Sequence, residues 1–509
     1  MLADIKTAAV HGIDALPVSV ETDITRGLPG FYIVGLADVT VKEARERIRS
    51  AIVNSGCDFP MERIVINIAP ADIRKRGSCL DLSMAMGILA GTHQIMTDDI
   101  GNWSFIGELS LDGKIRKVNG LLPMLSVLEE SGVKRAVVPY DNRKESELLT
   151  KIEVFPAKSL REVFDAFNMI KPLKRMRPEG LSKYAEVSPE VDFSDVKGQE
   201  NAKRAIAIAV AGGHGLLMTG TPSTGKTMLA ERIPTVMPPM TFDEIKEVTK
   251  IYSSSGLLNE GGRFITQRPY RNPHHNITGI GLTGGGGIPK PGEITLAHKG
   301  VLFLDELAEF KRDTIDLLRQ PLEEKQIVIS RLGYKYVYPA DFLLIAASNP
   351  CKCGYYGDEE KECTCTAAEI QKYKGRISGP IMDRIDLHIR LHNVKYDELK
   401  TACALSSEDM LKMITEARKA QKQRFSERLP HGKFVLNGSL GIAQAEALID
   451  IGKTEEEFLR RAYGRYMLNP RTLFKIKKVA RTIADIAGKE NIDTTDISEA
   501  IQYRGEEVR

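Results

Sequence analysis

Gly220-Thr221-Pro222-Ser223-Thr224-Gly225-Lys226-Thr227 is the stretch on which the reading of the fold turns. It fits the pattern G-x-x-x-x-G-K-[ST], a glycine-rich loop whose backbone N–H groups can cradle phosphates. The apolar Leu216-Leu217-Met218 ahead of it reads as a buried strand, and Met228-Leu229-Ala230-Glu231-Arg232 behind it suits a helix. Strand, loop and helix in that order aim a helix N-terminus at an anion. Lys226 would then reach the β and γ oxygens of a nucleoside triphosphate, and Thr227 would ligate Mg²⁺.

Further along, Val301-Leu302-Phe303-Leu304 is a short, wholly apolar run that ends in Asp305-Glu306. Such a run is a buried parallel strand, and α/β sheets gather ligands at the C-terminal ends of their strands. Asp305 is placed to hold Mg²⁺, directly or through water, and Glu306 to orient and deprotonate an attacking water. Around these motifs, residues 192–393 alternate strands and helices as a parallel α/β sheet does. Residues 1–170 read as a separate α+β unit. It contains a strand Ile64-Val65-Ile66-Asn67-Ile68, a helical pattern over 80–89, a hairpin around Asp112-Gly113, a helix over 123–131 and a strand Ala136-Val137-Val138. A Pro- and Lys/Arg-rich linker is expected over 171–191, and residues 394–509, helical with short polar breaks, are expected to form a separate all-α unit, a C-terminal helical lid. The fold class is α/β multidomain.

Composition narrows the field. The 509 residues carry 71 basic and 68 acidic side chains, so any nucleic-acid surface must be local rather than global. With 42% hydrophobic and 27% charged residues, the chain is neither disordered nor a membrane protein. Its longest near-apolar run, 205–218, is broken by Gly212, Gly213, His214 and Gly215. No secretory signal is expected from Met1-Leu2-Ala3-Asp4-Ile5-Lys6, and the cytoplasm is the expected address. Four of the seven cysteines, Cys351, Cys353, Cys363 and Cys365, form two C-x-C pairs. Without an export signal they read as a tetrahedral zinc site, with reduced thiols or redox-labile pairs as the alternative. Cys57, Cys79 and Cys403 read as small buried hydrophobes.

Gly198-Gln199-Glu200, the phosphate loop, the Asp305-Glu306 strand and Asn349, closing the strand Leu343-Leu344-Ile345-Ala346-Ala347-Ser348, resemble an AAA+ ATPase. The resemblance gives Asn349 the sensor-1 role, a side chain touching the γ-phosphate or its water. Ile377-Ser378-Gly379-Pro380-Ile381-Met382-Asp383-Arg384-Ile385-Asp386 is similar to the arginine-finger segment, so Arg384 would reach the neighbouring subunit's nucleotide in a ring, expected to be a hexamer. The alternative for Arg384 is a pair with Asp383 or Asp386. Arg471 in Leu468-Asn469-Pro470-Arg471 matches the sensor-2 arginine. More narrowly, the chain resembles the magnesium-chelatase-like AAA+ family that contains YifB and ComM. That likeness rests on Arg268-Pro269-Tyr270-Arg271-Asn272-Pro273-His274-His275, on Gly284-Gly285-Gly286, on Pro291-Gly292-Glu293-Ile294-Thr295-Leu296-Ala297-His298, on the cysteine cluster and on Val479-Ala480-Arg481-Thr482-Ile483-Ala484-Asp485. One departure is that Thr221 and Ser223 replace the Pro and Gly usual in that family's phosphate loop.

The resemblance implies ATP and Mg²⁺ as cofactors and a homo-oligomeric ring translocating on single-stranded or branched DNA. Helicase or branch-migration work on recombination intermediates in natural transformation is the implied task. The insertion over 253–292 and a hairpin around Gly333 are expected at a central pore. Arg268, Arg271, His274, His275, Arg331 and Lys335 are the candidate DNA contacts, each set against an ordinary solvated surface. A metal pair of His274 and His275 is disfavoured, because adjacent side chains point apart on a strand. Lys475, Lys478 and Thr482 share a helical face, and for the two lysines solvent exposure is the favoured reading.

Residues 1–170 also resemble the Lon-protease-like domain, of the ribosomal S5 domain 2 type, that opens this family. Ser78 and Ser83 lie near the serine region, but Met124 stands at the lysine position, so an inactive, binding or ring-assembly module is expected. Arg74-Lys75-Arg76 offers a basic loop. Two rival functions are a chelatase-type motor subunit acting on a protein or porphyrin client, and an ATP-dependent Lon-like protease. Porphyrin-stimulated ATPase would favour the first, and ATP-dependent casein degradation the second.

Overall fold

The computed structural model describes residues 2–35, 39–71, 77–96, 99–177, 191–258, 263–287, 289–331, 334–394 and 405–504. Arg74-Lys75-Arg76, Gly333, Cys403 and most of the expected linker lie outside these residues, as does the side chain of Arg331. Among the described residues, no helix is long and apolar enough to cross a membrane.

The chain forms two compact units. The first comprises Met1–Glu186, Thr241–Thr266 and Pro289–Pro291. Its four-stranded sheet runs Leu2–His11, Asp14–Thr25, Arg63–Ala69, Gly30–Val34, antiparallel at the first two joints and parallel at the last. A three-stranded parallel sheet orders Trp103–Phe105, Arg135–Pro139 and Glu153–Ala157. The expected strand, helices and hairpin appear as Arg63–Ala69, Asp81–Gly91, Leu121–Glu130 and the pair Glu108–Leu109 with Ile115–Arg116. The helix Asp81–Gly91 is buried on nearly every side, which explains its all-round apolar sequence. Within it Ser83 donates to the Phe105 carbonyl, while Ser78 donates to the Glu108 carboxylate and Met124 is wholly buried.

Residues 241–266 were expected in the ATPase core, yet they fold with this first unit. Thr241 and Glu244 cap the helix Phe242–Ser255 reciprocally. Ile245, Val248 and Ile251 form its buried face, worth about 1.5–3 kcal/mol per side chain, and the helix packs on Leu121–Glu130. A polar latch completes the joint. Ser253 Oγ donates to Glu145 at 2.5 Å, and the Gly120 N–H donates to the Ser253 carbonyl at 2.9 Å. Burial pushes the Glu145 carboxyl up, against the hydrogen bonds from Ser253, Asn142 and the Leu122 N–H. What reads in sequence as the start of a loop is therefore a helix end anchored in the N-terminal unit.

The second unit comprises Val187–Met240, Gln267–Ile288 and Gly292–Arg509. Its sheet is parallel throughout, in the order Tyr270–Arg271, Val301–Leu304, Leu343–Ser348, Leu216–Gly220, Leu387–Leu391. Val301, Leu302, Phe303 and Leu304 are fully buried, as a strand covered on both faces must be. The helical C-terminal stretch is not the separate unit its sequence suggests, because its apolar faces share one hydrophobic core with the sheet layers, through Met410, Ile414, Ala417, Ile476 and Val479. Helix Ser407–Arg428 packs on Glu200–Gly212 and Lys226–Val236, and Pro470–Ile486 packs on Glu200–Gly212 and Thr494–Gln502. Strands Gln326–Arg331 and Tyr334–Pro339 pair antiparallel, as the hairpin pattern predicts.

Candidate nucleotide site

Parallel register brings the motif residues to one edge of this sheet. Thr219 lies level with Ser348, and Leu304 with Ala346, so the phosphate loop, Asp305 and Asn349 all leave at the C-terminal ends of adjacent strands. Lys226 Nζ donates to the Gly220 and Thr221 carbonyls at 2.8 Å each and to Asn349 Oδ1 at 3.3 Å. Burial pulls its ammonium below the usual lysine range, opposed by the nearby charges of Asp305 and Glu306. Beside the loop lies a cavity of about 400 Å³. Val196, Met228, Leu229 and Val394 give it apolar walls, and Gln199 and Asn393 polar ones, a lining that suits a purine. Gln199 holds its place in a left-handed conformation, φ 58°, with its amide donating to the His392 carbonyl at 2.7 Å.

The residues present fit Mg²⁺. Thr227 Oγ1 donates to Asp305 Oδ2 at 2.8 Å. A hydroxyl and a carboxylate brought together at this sheet edge are the hard oxygen ligands such an ion takes. Glu306 follows with φ 51°, a conformation a non-glycine residue adopts at a cost of about 1–3 kcal/mol. Its N–H donates to Asp305 Oδ1 at 2.9 Å, and its Oε2 lies 3.1 Å from His275 Nδ1.

Ser223, one of the two departures from the family's loop, also sits in the left-handed region, at φ 67°. An L-residue there costs about 1–2 kcal/mol more than in ordinary backbone, partly offset for glycine by its freer unfolded chain. Ser223→Gly is expected to stabilise the protein by about 0.5–1 kcal/mol, raising Tm by about 1–2 °C in thermal melts. A lower Tm would show that the serine side chain contributes more than its backbone costs.

Arg384 does not pair with Asp383 or Asp386. Its guanidinium donates to Glu323 at 2.5 Å and to the Pro380 carbonyl at 2.7 Å. Arg471 is exposed on the first turn of Pro470–Ile486, with Asp383 at 3.9 Å. The solvated reading of the same helix's lysines is overturned. Lys475 is almost covered, ion-pairs with Asp386 at 3.0 Å and donates to the Ile385 and Asp383 carbonyls. Lys478 is 9% exposed, and Thr482 is fully buried between His214 and Asn437. This helix face is polar because it meets a polar seam of the core, a partner that helical spacing alone does not disclose.

The candidate DNA contacts divide. Arg268 donates to the carbonyls of Pro238, Pro239 and Lys299, and Arg271 forms a two-pronged pair with Glu293 at 2.6 and 2.8 Å. Both charges are spent bracing this unit, and His275 is turned to Glu306. His274 and Lys335 are exposed. The two histidine rings lie side by side, centroids 4.1 Å apart, rather than pointing apart, because the chain turns there (Ile277 N–H to the His274 carbonyl, 2.9 Å) instead of running as a strand. Cys351, Cys353, Cys363 and Cys365 converge just beyond Asn349, with all four sulfurs within 4.8 Å of one another.

Comparison with known proteins places this geometry. The family described as "Magnesium chelatase, subunit ChlI" matches residues 192–399; "Subunit ChlI of Mg-chelatase" matches 20–142 and "Magnesium chelatase, subunit ChlI C-terminal" matches 404–504. The chain is 38% identical over 505 residues to the uncharacterized protein YifB of Salmonella typhimurium, covering 99% of this chain and 97% of that one. It is 36% identical over 509 residues to the competence protein ComM of Haemophilus influenzae, with the same coverage. An uncharacterized protein of Mycobacterium tuberculosis is 36% identical over 501 residues, 98% of this chain and 97% of its own. Such coverage spans the phosphate loop, the Asp305 strand, the cysteine cluster and the helical C-terminus alike, and the chain belongs to the magnesium-chelatase-like AAA+ ATPases of the YifB/ComM family.

Proposed function

We propose that this protein is an ATP-hydrolysing ring motor that moves along DNA and remodels branched recombination intermediates, in the setting of natural transformation. The observation that carries the ATPase part is the hydroxyl–carboxylate contact of Thr227 and Asp305, with Lys226 and Asn349 at the same sheet edge. In this reading the loop N–H groups from Gly220 to Thr227 and the Lys226 ammonium bind the phosphates. Thr227 and Asp305 would hold Mg²⁺, which when bound would supply charge neutralisation at the phosphates. Glu306, oriented by His275, takes the proton of the attacking water, and Asn349 fixes that water or the γ-phosphate. Arg384, released from Glu323, reaches the nucleotide of the next subunit in a hexameric ring, and Arg471 closes the helical region over the site. Lys335, with Arg331 at the end of the partner strand, and His274 are the DNA-facing residues. DNA as the client is supported by the relative named a competence protein and by the hairpin that carries the exposed Lys335.

Steady-state ATPase with single-stranded, duplex, forked and four-way-junction DNA across a salt series tests the proposal. Stimulation by single-stranded or branched DNA that fades with salt is expected, because phosphate contacts release counterions. A robust basal rate indifferent to every DNA would leave the ATPase and remove the DNA motor.

A further inference from the structure

We propose that Cys351, Cys353, Cys363 and Cys365 hold one zinc ion, and that the knuckle so formed clamps the phosphate-binding loop, so that metal occupancy sets nucleotide affinity. The second half of this rests on the ATPase reading above.

The four sulfurs, all within 4.8 Å of one another, are gathered closely enough to surround one ion. Cys351 and Cys353 are 3.3 Å apart, Cys353 and Cys363 3.5 Å, and Cys351 and Cys363 3.7 Å. Zn–S bonds of about 2.3 Å set tetrahedral S···S edges of about 3.8 Å, whereas a disulfide needs about 2.05 Å. Backbone N–H groups are aimed at the sulfurs: Tyr355 and Thr364 donate to Cys353, Cys365 to Cys363, and Cys353 to Cys365. Donors so placed disperse thiolate charge and fix ligand direction, as outer-shell partners of metal sites do. Four thiolates in a tetrahedron select zinc over the oxygen-loving Mg²⁺ used by the nucleotide site.

The loop between the two cysteine pairs touches the phosphate loop at several points. Gly354 lies so close to the Pro222 ring that a Cβ on it would stand 2.9 Å from the proline carbons. Asp358 accepts hydrogen bonds from the Lys361 and Glu360 N–H groups and from the Asn393 amide. Thr221 Oγ1 in turn donates to Asn393 Oδ1 at 3.1 Å. Arg390, on the strand beside the phosphate-loop strand, donates to the Tyr356 and Gly357 carbonyls at 2.9 and 2.8 Å. Thr221 is the residue that stands where this family's loop usually has proline, and its hydroxyl is the first link of the relay through Asn393 to Asp358. A metal that fixes the cysteine loop thus holds Pro222 through Gly354 and Thr221 through the Asp358–Asn393 pair.

The test uses the full-length chain. Metal content by mass spectrometry should be one zinc per chain, and Co²⁺ substitution should give the intense visible bands of a tetrahedral thiolate site. Binding of a fluorescent ATP analogue in Mg²⁺ is then measured on zinc-loaded protein and on protein stripped with a pyridyl chelator that spares Mg²⁺. Affinity is expected to fall about tenfold or more on stripping and to return with zinc. Asp358→Ala, which leaves the cysteines intact, should keep the zinc yet lose about tenfold in affinity. A chain with no bound zinc, or with iron in its place, overturns the site. Equal affinity in loaded, stripped and Asp358→Ala protein overturns the clamp. Loaded protein that binds no ATP at all removes the ATPase reading and the clamp together, and leaves the metal site standing.

Discussion

Glu306→Gln is expected to lower ATP turnover by roughly 10²–10⁴-fold while leaving ATP affinity within a few-fold of wild type. The carboxylate stands one residue beyond Asp305, at the end of a strand whose four residues are fully buried, so its backbone position is fixed by the sheet. Its left-handed backbone turns the side chain out of the strand direction and toward His275, 3.1 Å away. Glutamine is the same size and keeps an oxygen for the histidine to donate to, so the substitution removes basicity and little else. In the proposed reading the phosphate and Mg²⁺ contacts fall to Lys226, Thr227 and Asp305, which the change does not touch. Lys226→Ala is the complement, because it removes the charge that holds the phosphates and should abolish binding. Single-turnover hydrolysis and equilibrium nucleotide binding separate the two cases. Wild-type turnover in Glu306→Gln would take the base role away from Glu306, and loss of binding equal to loss of turnover would make it a binding residue instead.

How much of this was legible in the sequence depended on whether a signal was local. The phosphate loop, the strand into Asp305 and Asn349 were readable because a short motif and an apolar run each fix their own geometry. Their convergence needed only the parallel register. The use made of charged side chains was not legible. Arg268 and Arg271 look like DNA contacts in a string of basic residues, yet their partners are carbonyls at 238, 239 and 299 and the Glu293 carboxylate. Nothing in the spacing announces those partners. The same holds for Phe242–Ser255, whose apolar face finds its cover on Leu121–Glu130, more than a hundred residues earlier. Thr221 is the instructive intermediate. As a departure from the family's loop it was visible in sequence, but its link through Asn393 to Asp358 requires the fold.

Lys475→Met is expected to cost about 3–5 kcal/mol in stability, a fall in Tm on the order of 10 °C, although a lysine on a helix face is ordinarily replaceable. Lys475 and Asp386 are each only 12% exposed in their side chains, and they pair at 3.0 Å. Burial raises the Asp386 carboxyl, but the His214 ring at 2.9 Å and the Lys475 ammonium outweigh it and hold the group well below the usual carboxylate range. A depressed carboxyl contributes stability above the unfolded value of about 3.9 and loses it as pH falls through the folded value. With the ammonium removed, the depression shrinks, so the acid limb of the stability curve should move to higher pH as well as the whole curve falling. Lys475→Met combined with Asp386→Asn should recover much of the loss, because a neutral amide still accepts from His214 and needs no counter-charge. Chemical denaturation of the single and double variants between pH 3 and 8 reads both effects. An additive double variant would show that the two side chains act separately. The consequence reaches the nucleotide site, since Lys475 also donates to the carbonyls of Asp383 and Ile385, the residues on either side of Arg384. An ammonium that ties the C-terminal helix to the Arg384 segment makes the position of that arginine depend on the helix, so the single variant should lose ATPase activity even at temperatures where it remains folded.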